Sequence, residues 1–171
     1  MGPVEIIFIA IWLLFGFIGL VRGVWKELGV TVMLFIGLLF LQMLVGPLSK
    51  YWTTLLGFFT TDPTQQKVIT DMFSIAVLLI IAFISYQGEI LTYPGKGDNW
   101  FFSLGAGLLN GWLLAGSVWF YFNQAGWPGG LVNPPFSQYY NTMVKLLPPE
   151  VLPWTVLALL VVFMMILRVL K

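Results

Sequence analysis

The side chains able to do chemistry in this sequence are few, and most stand at the margins of long apolar runs. Arg22, Lys26 and Glu27 sit together inside the stretch Gly16 to Gly29, while Glu5, Asp71 and Glu89 fall near the expected ends of apolar segments. Charged groups at such ends anchor a helix at the membrane surface, whereas a membrane enzyme or pump places ionisable groups mid-span. Gln42, Gln87 and Asn110 are the polar candidates inside the runs, and their expected role is hydrogen bonding between helices. The chain has no histidine and no cysteine. That excludes imidazole proton transfer, histidine-held haem or zinc, thiolate catalysis, iron–sulfur ligation and disulfides. Gly95 and Gly97 flank Lys96 without the remaining residues of a phosphate-binding loop, so they read as a turn. No catalytic, metal or cofactor site is expected, and the chain reads as a non-enzyme.

The elements that would hold these residues are membrane helices. Of 171 residues, 59% are hydrophobic and 9% charged, and the mean hydropathy is +0.93. Such values lie outside the range of soluble domains. A net charge of +1 leaves no footprint for nucleic acid. The expected fold class is all-α, a polytopic transmembrane bundle with a four-helix core. Its spans are Val4 to Val21, Leu28 to Val45, Val68 to Ile90 and Phe101 to Phe122, within a core of residues 1–122. A fifth span, Val151 to Leu167 inside residues 151–171, follows an extracytoplasmic loop, 123–150. In that loop Phe136, Tyr140, Met143, Val144 and Leu147 share one helical face. They predict an amphipathic helix over Pro134 to Leu147, capped by Asn133 and lying in the interface or against the bundle. Ser49 to Lys67 reads as a connecting loop, with Asp62-Pro63 able to start the third helix. Trp25, Trp52, Trp100, Trp127 and Trp154 fall at predicted ends, as interfacial aromatic residues do.

Orientation follows from basic charge. With five crossings and the amino terminus outside, Arg22, Lys26, Lys96, Arg168 and Lys171 face the cytoplasm, against Lys50, Lys67 and Lys145 outside. The start, Met1-Gly2-Pro3-Val4-Glu5, matches neither a signal peptide nor an N-myristoylation pattern, so the first helix is expected to be retained.

Small residues supply the expected packing faces. Ser103, Gly107, Gly111 and Ala115 recur every fourth residue, and Gly16, Gly19 and Gly23 offer a matching face on the first helix. Both allow close backbone approach.

Leu20, Arg22, Gly23, Lys26 and Glu27, with Ser103, Gly107, Asn110 and Gly111, resemble motifs of the colicin V production (CvpA) family of bacterial inner-membrane proteins. The family pairs a first helix ending in Leu-x-Arg-Gly, then a basic residue and Glu, with a late Gly-x-x-x-Gly-x-x-Arg-Gly helix. Here Asn110 stands where the family has Arg, and Asn99-Trp100 replaces the usual Asp-Arg pair. Glu5 corresponds to the acidic residue near the start. The resemblance covers roughly the first 150 residues, and the fifth helix is an extension. It implies a scaffold or assembly factor linked to toxin production and envelope maintenance, in the bacterial inner membrane. The competing classes are an accessory subunit of a respiratory or photosynthetic complex, and a small transporter or channel. Expected partners are membrane lipids and either a homo-oligomer or a larger membrane complex.

Overall fold

A computed structural model of the chain describes residues 2–88, 91–95, 97, 99–127, 132 and 136–170. All regular structure among them is helical: α1 (Pro3–Arg22), α2 (Val24–Val45), α3 (Ser49–Leu56), α4 (Pro63–Gly88), α5 (Trp100–Gly111), a π turn (Trp112–Gly116), α6 (Ser117–Ala125), α7 (Gln138–Val144), α8 (Pro148–Val151) and α9 (Trp154–Val169). Four helices are long and apolar enough to cross a membrane: α1, α2, α4 and the run Trp100–Ala125. This is a membrane protein with an all-α bundle. Its outward positions, such as Phe17, Val21, Leu79 and Phe83, are large, apolar and exposed, a lipid-facing surface.

Helix α2 is the centre of the bundle. Val30, Leu34, Leu38 and Leu41 on it are buried with Leu78 of α4, Leu113 of the π turn and Leu157 of α9. These positions recur at i, i+4, i+8 and i+11, so α2 offers an apolar stripe to its neighbours. Helix α5 packs against both α1 and α2.

The stretch Gly16 to Gly29, which holds Arg22, Lys26 and Glu27, is almost entirely helical. Helices α1 and α2 are separated by Gly23 alone, at φ 85° and ψ 155°, and its N–H donates to the Gly19 carbonyl at 2.9 Å. A side chain is strained at that φ, which explains glycine there. Gly23 is therefore the hinge between α1 and α2, and it is buried there.

Three further points of the fold have physical causes. Ser49 to Leu56 is helical where a loop was expected, because Leu56 on its inner face finds burial. The third span begins at Pro63, with Asp62 Oδ1 accepting from the Thr64 N–H at 2.9 Å, so it starts earlier than its apolar run. The fourth span carries a π turn in its middle.

That turn receives a corner of the chain. Pro148 lies against Gly116, and the Trp112 indole donates to the Leu146 carbonyl at 3.1 Å. Tyr140, higher on the same segment, donates to Asn123 at 2.7 Å near the end of α6 and packs between Phe136 and Trp119. The segment thus descends along the fourth span from its end to its middle. Helix α7 is shorter than expected and is capped by Ser137, whose Oγ accepts from the Tyr140 N–H at 3.0 Å. Asn133 and Pro134, expected to start it, lie outside the described residues. The apolar face that suggested an amphipathic helix packs against the bundle, one of the two places expected for it, with Tyr140 and Leu147 buried.

Because the chain turns inside the bundle, the last helix starts late. Helix α9 has 16 residues, about 24 Å at the usual rise and short of a typical hydrocarbon core of about 30 Å.

Candidate functional site

The most polar place in the interior gathers residues from four spans. Glu27, in the first turn of α2, is 0% exposed. It was expected in the short link between the first two spans, but it lies in α2 with α5 and α4 covering it. Arg22, from the last turn of α1, donates to Glu27 Oε1 at 3.1 Å. The Tyr86 hydroxyl donates to Glu27 Oε2 at 3.0 Å, and Asn110 Nδ2 donates to the same oxygen at 2.8 Å.

Asn110 spends both amide hydrogens on Glu27, the second on its backbone carbonyl at 3.0 Å, and its Oδ1 accepts from Thr31 at 2.7 Å. Thr31 is one turn after Glu27 on the same face of α2. Arg22 also stacks over the Tyr86 ring, 4.5 Å from its centroid, and donates to the Tyr86 carbonyl at 3.4 Å. One carboxylate thus collects one cationic and two neutral donors. A buried charge is tolerable only when so paired, and removing one partner of such a pair costs about 3–5 kcal/mol.

The glycine faces place Asn110. Gly19 packs on the backbone of Ser103 and Gly107, and Gly107 in turn packs on the Phe15 carbonyl. A Cβ at Gly107 would lie 2.9 Å from the Gly19 Cα. Gly111 meets Phe15 and Trp12, while Gly16 meets Leu104 and Leu108. The Trp12 indole donates to the Leu108 carbonyl at 2.7 Å, fixing the register of α1 on α5. Ala115 departs from this face: it sits in the π turn, and the two helices separate there around an apolar cavity of about 270 Å³ lined by Val4, Phe8 and Trp119.

The remaining candidates scatter. Gln42 donates to the Pro149 and Leu152 carbonyls at 3.2 and 2.7 Å, satisfying the backbone of the buried corner. Gln87 is exposed at the end of α4, one residue before Gly88, where the span has turned it outward. That corrects its expected role between helices. Lys26 and Leu20 are exposed beside the hinge, and Glu89 lies outside the described residues. Glu5 is 3% exposed, with Ser137 Oγ 3.4 Å from its Oε1, so it ties the start of α1 to the cap of α7. Beyond the spans, the Tyr93 hydroxyl donates to the Met164 carbonyl at 2.7 Å, and burial pushes its phenol above the usual tyrosine range.

Tyr86, Thr31 and Asp71 were missed as interior polar residues. The spacing of Glu27 and Thr31 was a usable signal for one. For Asp71 the signal was Asp62-Pro63: a helix counted from Pro63 puts Asp71 two turns inside the span. Asp71 is buried, 6% exposed. Among the described residues no group of three or more acidic side chains is placed to hold a metal ion.

In comparisons with known proteins, no family model, no curated protein and no solved structure matches the chain.

Proposed function

We propose that the chain is a non-enzymatic, CvpA-like scaffold or assembly factor of the bacterial inner membrane, serving toxin production of the colicin V type and envelope maintenance. One observation carries the reading. Arg22, Glu27 and Asn110, which supply the resemblance from opposite parts of the sequence, meet in one buried network, and Gly107 packs α5 on α1 beside it. The position the family fills with Arg is the one whose side chain meets the Glu27 carboxylate.

The chemistry of that network supports a structural role. Glu27 and Asn110 spend their hydrogen-bonding capacity on each other and on Arg22, Tyr86 and Thr31, which leaves them unsuited to bind and release a substrate. Partners in this reading are membrane lipids on the exposed apolar faces, with a homo-oligomer or a larger membrane complex. The amino terminus lies outside and the carboxyl end in the cytoplasm. Support for that orientation is the end-wise sorting of basic residues: Arg22, Lys26 and Arg168 at one end of the bundle, Lys50 and Lys67 at the other, while Lys145 stands next to Leu146 beside the middle of the fourth span and favours neither sense.

The test is genetic and direct. In a strain that exports a colicin-V-type toxin, loss of this protein should lower toxin release, and the wild-type chain should restore it. Unchanged release would remove the functional half of the proposal. A transporter or channel is the second reading, favoured by the buried Asp71 beside a cavity, and flux measurements separate the two.

A further inference from the structure

At the opposite end of the bundle from Glu27, α3 and the first turns of α4 enclose a cavity of about 490 Å³ with α2 and α6. Its size falls within the range of small-ligand sites, about 300–1,000 Å³. Ser49, Trp52, Thr53 and Leu56 of α3 all line it, at i, i+3, i+4 and i+7, so this short helix exists as one wall. Phe120 and Tyr121 form another wall, and most of the lining is carbon.

On the wall of this space stands a carboxylate. Asp71 lines the cavity, is 6% exposed, and its Oδ2 has no hydrogen-bond partner among the described residues. The nearest cation does not take it: Lys67, one turn earlier on α4, donates to Gln124 Oε1 at 2.8 Å on the exposed rim. A carboxylate left so is costly unless something charged or hydrogen-donating meets it. Hard metal ions favour several carboxylates, and Asp71 is the one acidic side chain among the described residues of these walls. An ammonium group with an apolar body suits both features, since aromatic faces and a carboxylate each attract it.

We propose that this cavity binds a small organic ammonium ion, its charged group at Asp71 and its apolar body among Trp52, Phe120 and Tyr121. The site is independent of the scaffold reading and of the Glu27 network. The ammonium can belong to a free amine or to an aminated lipid headgroup, since the cavity opens at one end of the spans.

Calorimetric titration of the full chain in dodecyl maltoside with benzylammonium, against neutral benzyl alcohol, tests it. Saturable one-to-one binding is expected for benzylammonium, at least about tenfold tighter than for the alcohol, as a charge-assisted contact implies. Asp71→Asn should weaken it about tenfold or more. Lys67→Gln should tighten it, because a competing positive charge is removed; a purely structural role for Asp71 gives no such gain. Thr53→Trp, at an exposed position of α3, should block the cavity without touching Asp71, so the proposal stays testable if Asp71→Asn fails to fold. Competition by phosphatidylethanolamine and not phosphatidylglycerol would assign the occupant to a lipid headgroup, and its absence would assign a free amine. Equal affinity for the alcohol, no saturable binding, or binding unchanged by Thr53→Trp would overturn the site.

Discussion

Asn110 holds Glu27 at two points, 2.8 Å from its carboxylate and 3.0 Å from its backbone carbonyl. A side chain in the middle of the fourth span therefore fixes both the charge and the chain at the start of the second. Replacing Asn110 by Leu removes donors to a buried carboxylate and leaves the Thr31 hydroxyl only the Glu27 carbonyl, at 3.0 Å, as acceptor. A loss of about 2–4 kcal/mol is expected, within the range for broken buried polar networks. Thermal unfolding in detergent reads it as a lowered midpoint.

Arg22 and Glu27 supply a coupling test. Arg22→Met alone leaves the Glu27 charge without its cation, and Glu27→Gln alone leaves Arg22, with a side chain 17% exposed, without its anion. The double variant should lose less stability than the two single losses added, because the neutral amide still accepts from Tyr86 and Asn110. Additive losses would mean that the pair is not coupled.

Helix packing is checked at neighbouring glycines. Gly107→Val would drive a side chain into the Phe15 carbonyl and Gly19, separating α1 from α5 at a cost of about 1–3 kcal/mol or more. At Gly105, two residues earlier, an added Cβ meets nothing within 4 Å. Gly105→Ala should therefore leave the unfolding midpoint nearly unchanged, and equal effects at the two sites would contradict the placement.

Gln42 and Gln87 differ in the same way. Gln42→Leu orphans the Pro149 and Leu152 carbonyls and should cost about 1–3 kcal/mol, with faster proteolysis of residues 145–153. Gln87→Leu, at an exposed position, should change stability by no more than about 0.5 kcal/mol.

Much of this arrangement was legible in the sequence. Apolar length marked the four spans, and the four-residue spacing of Ser103, Gly107 and Gly111 pointed to the face that meets α1. Pairing was less legible. Glu27 reads as an end residue because sequence shows its distance along α2, not the two helices that cover it. The π turn has no pattern of its own: it accommodates Pro148, a partner 32 positions from Gly116, so its cause is tertiary. The corner at Leu146 to Pro149, with Leu147 and Pro148 buried, likewise shortens α9 through contacts with Trp112 and Gln42 that no local signal carries.

Orientation is open to reporter fusions. Fusions after Lys50 and after Lys171 should report opposite sides, outside for the first and cytoplasm for the second. Both on one side would contradict either the count of crossings or the sense of insertion.

Whether the interior polar groups hold the bundle together or pass a substrate is decided by flux. The pure protein should be reconstituted in liposomes with a proton or potassium gradient and flux compared with protein-free vesicles. No flux above the protein-free rate is expected, because Glu27, Asn110 and Gln42 are each engaged in bonds that hold helices together. Flux that Asn110→Leu or Gln42→Leu abolishes, in protein that still folds, would contradict the scaffold and establish a conducting path.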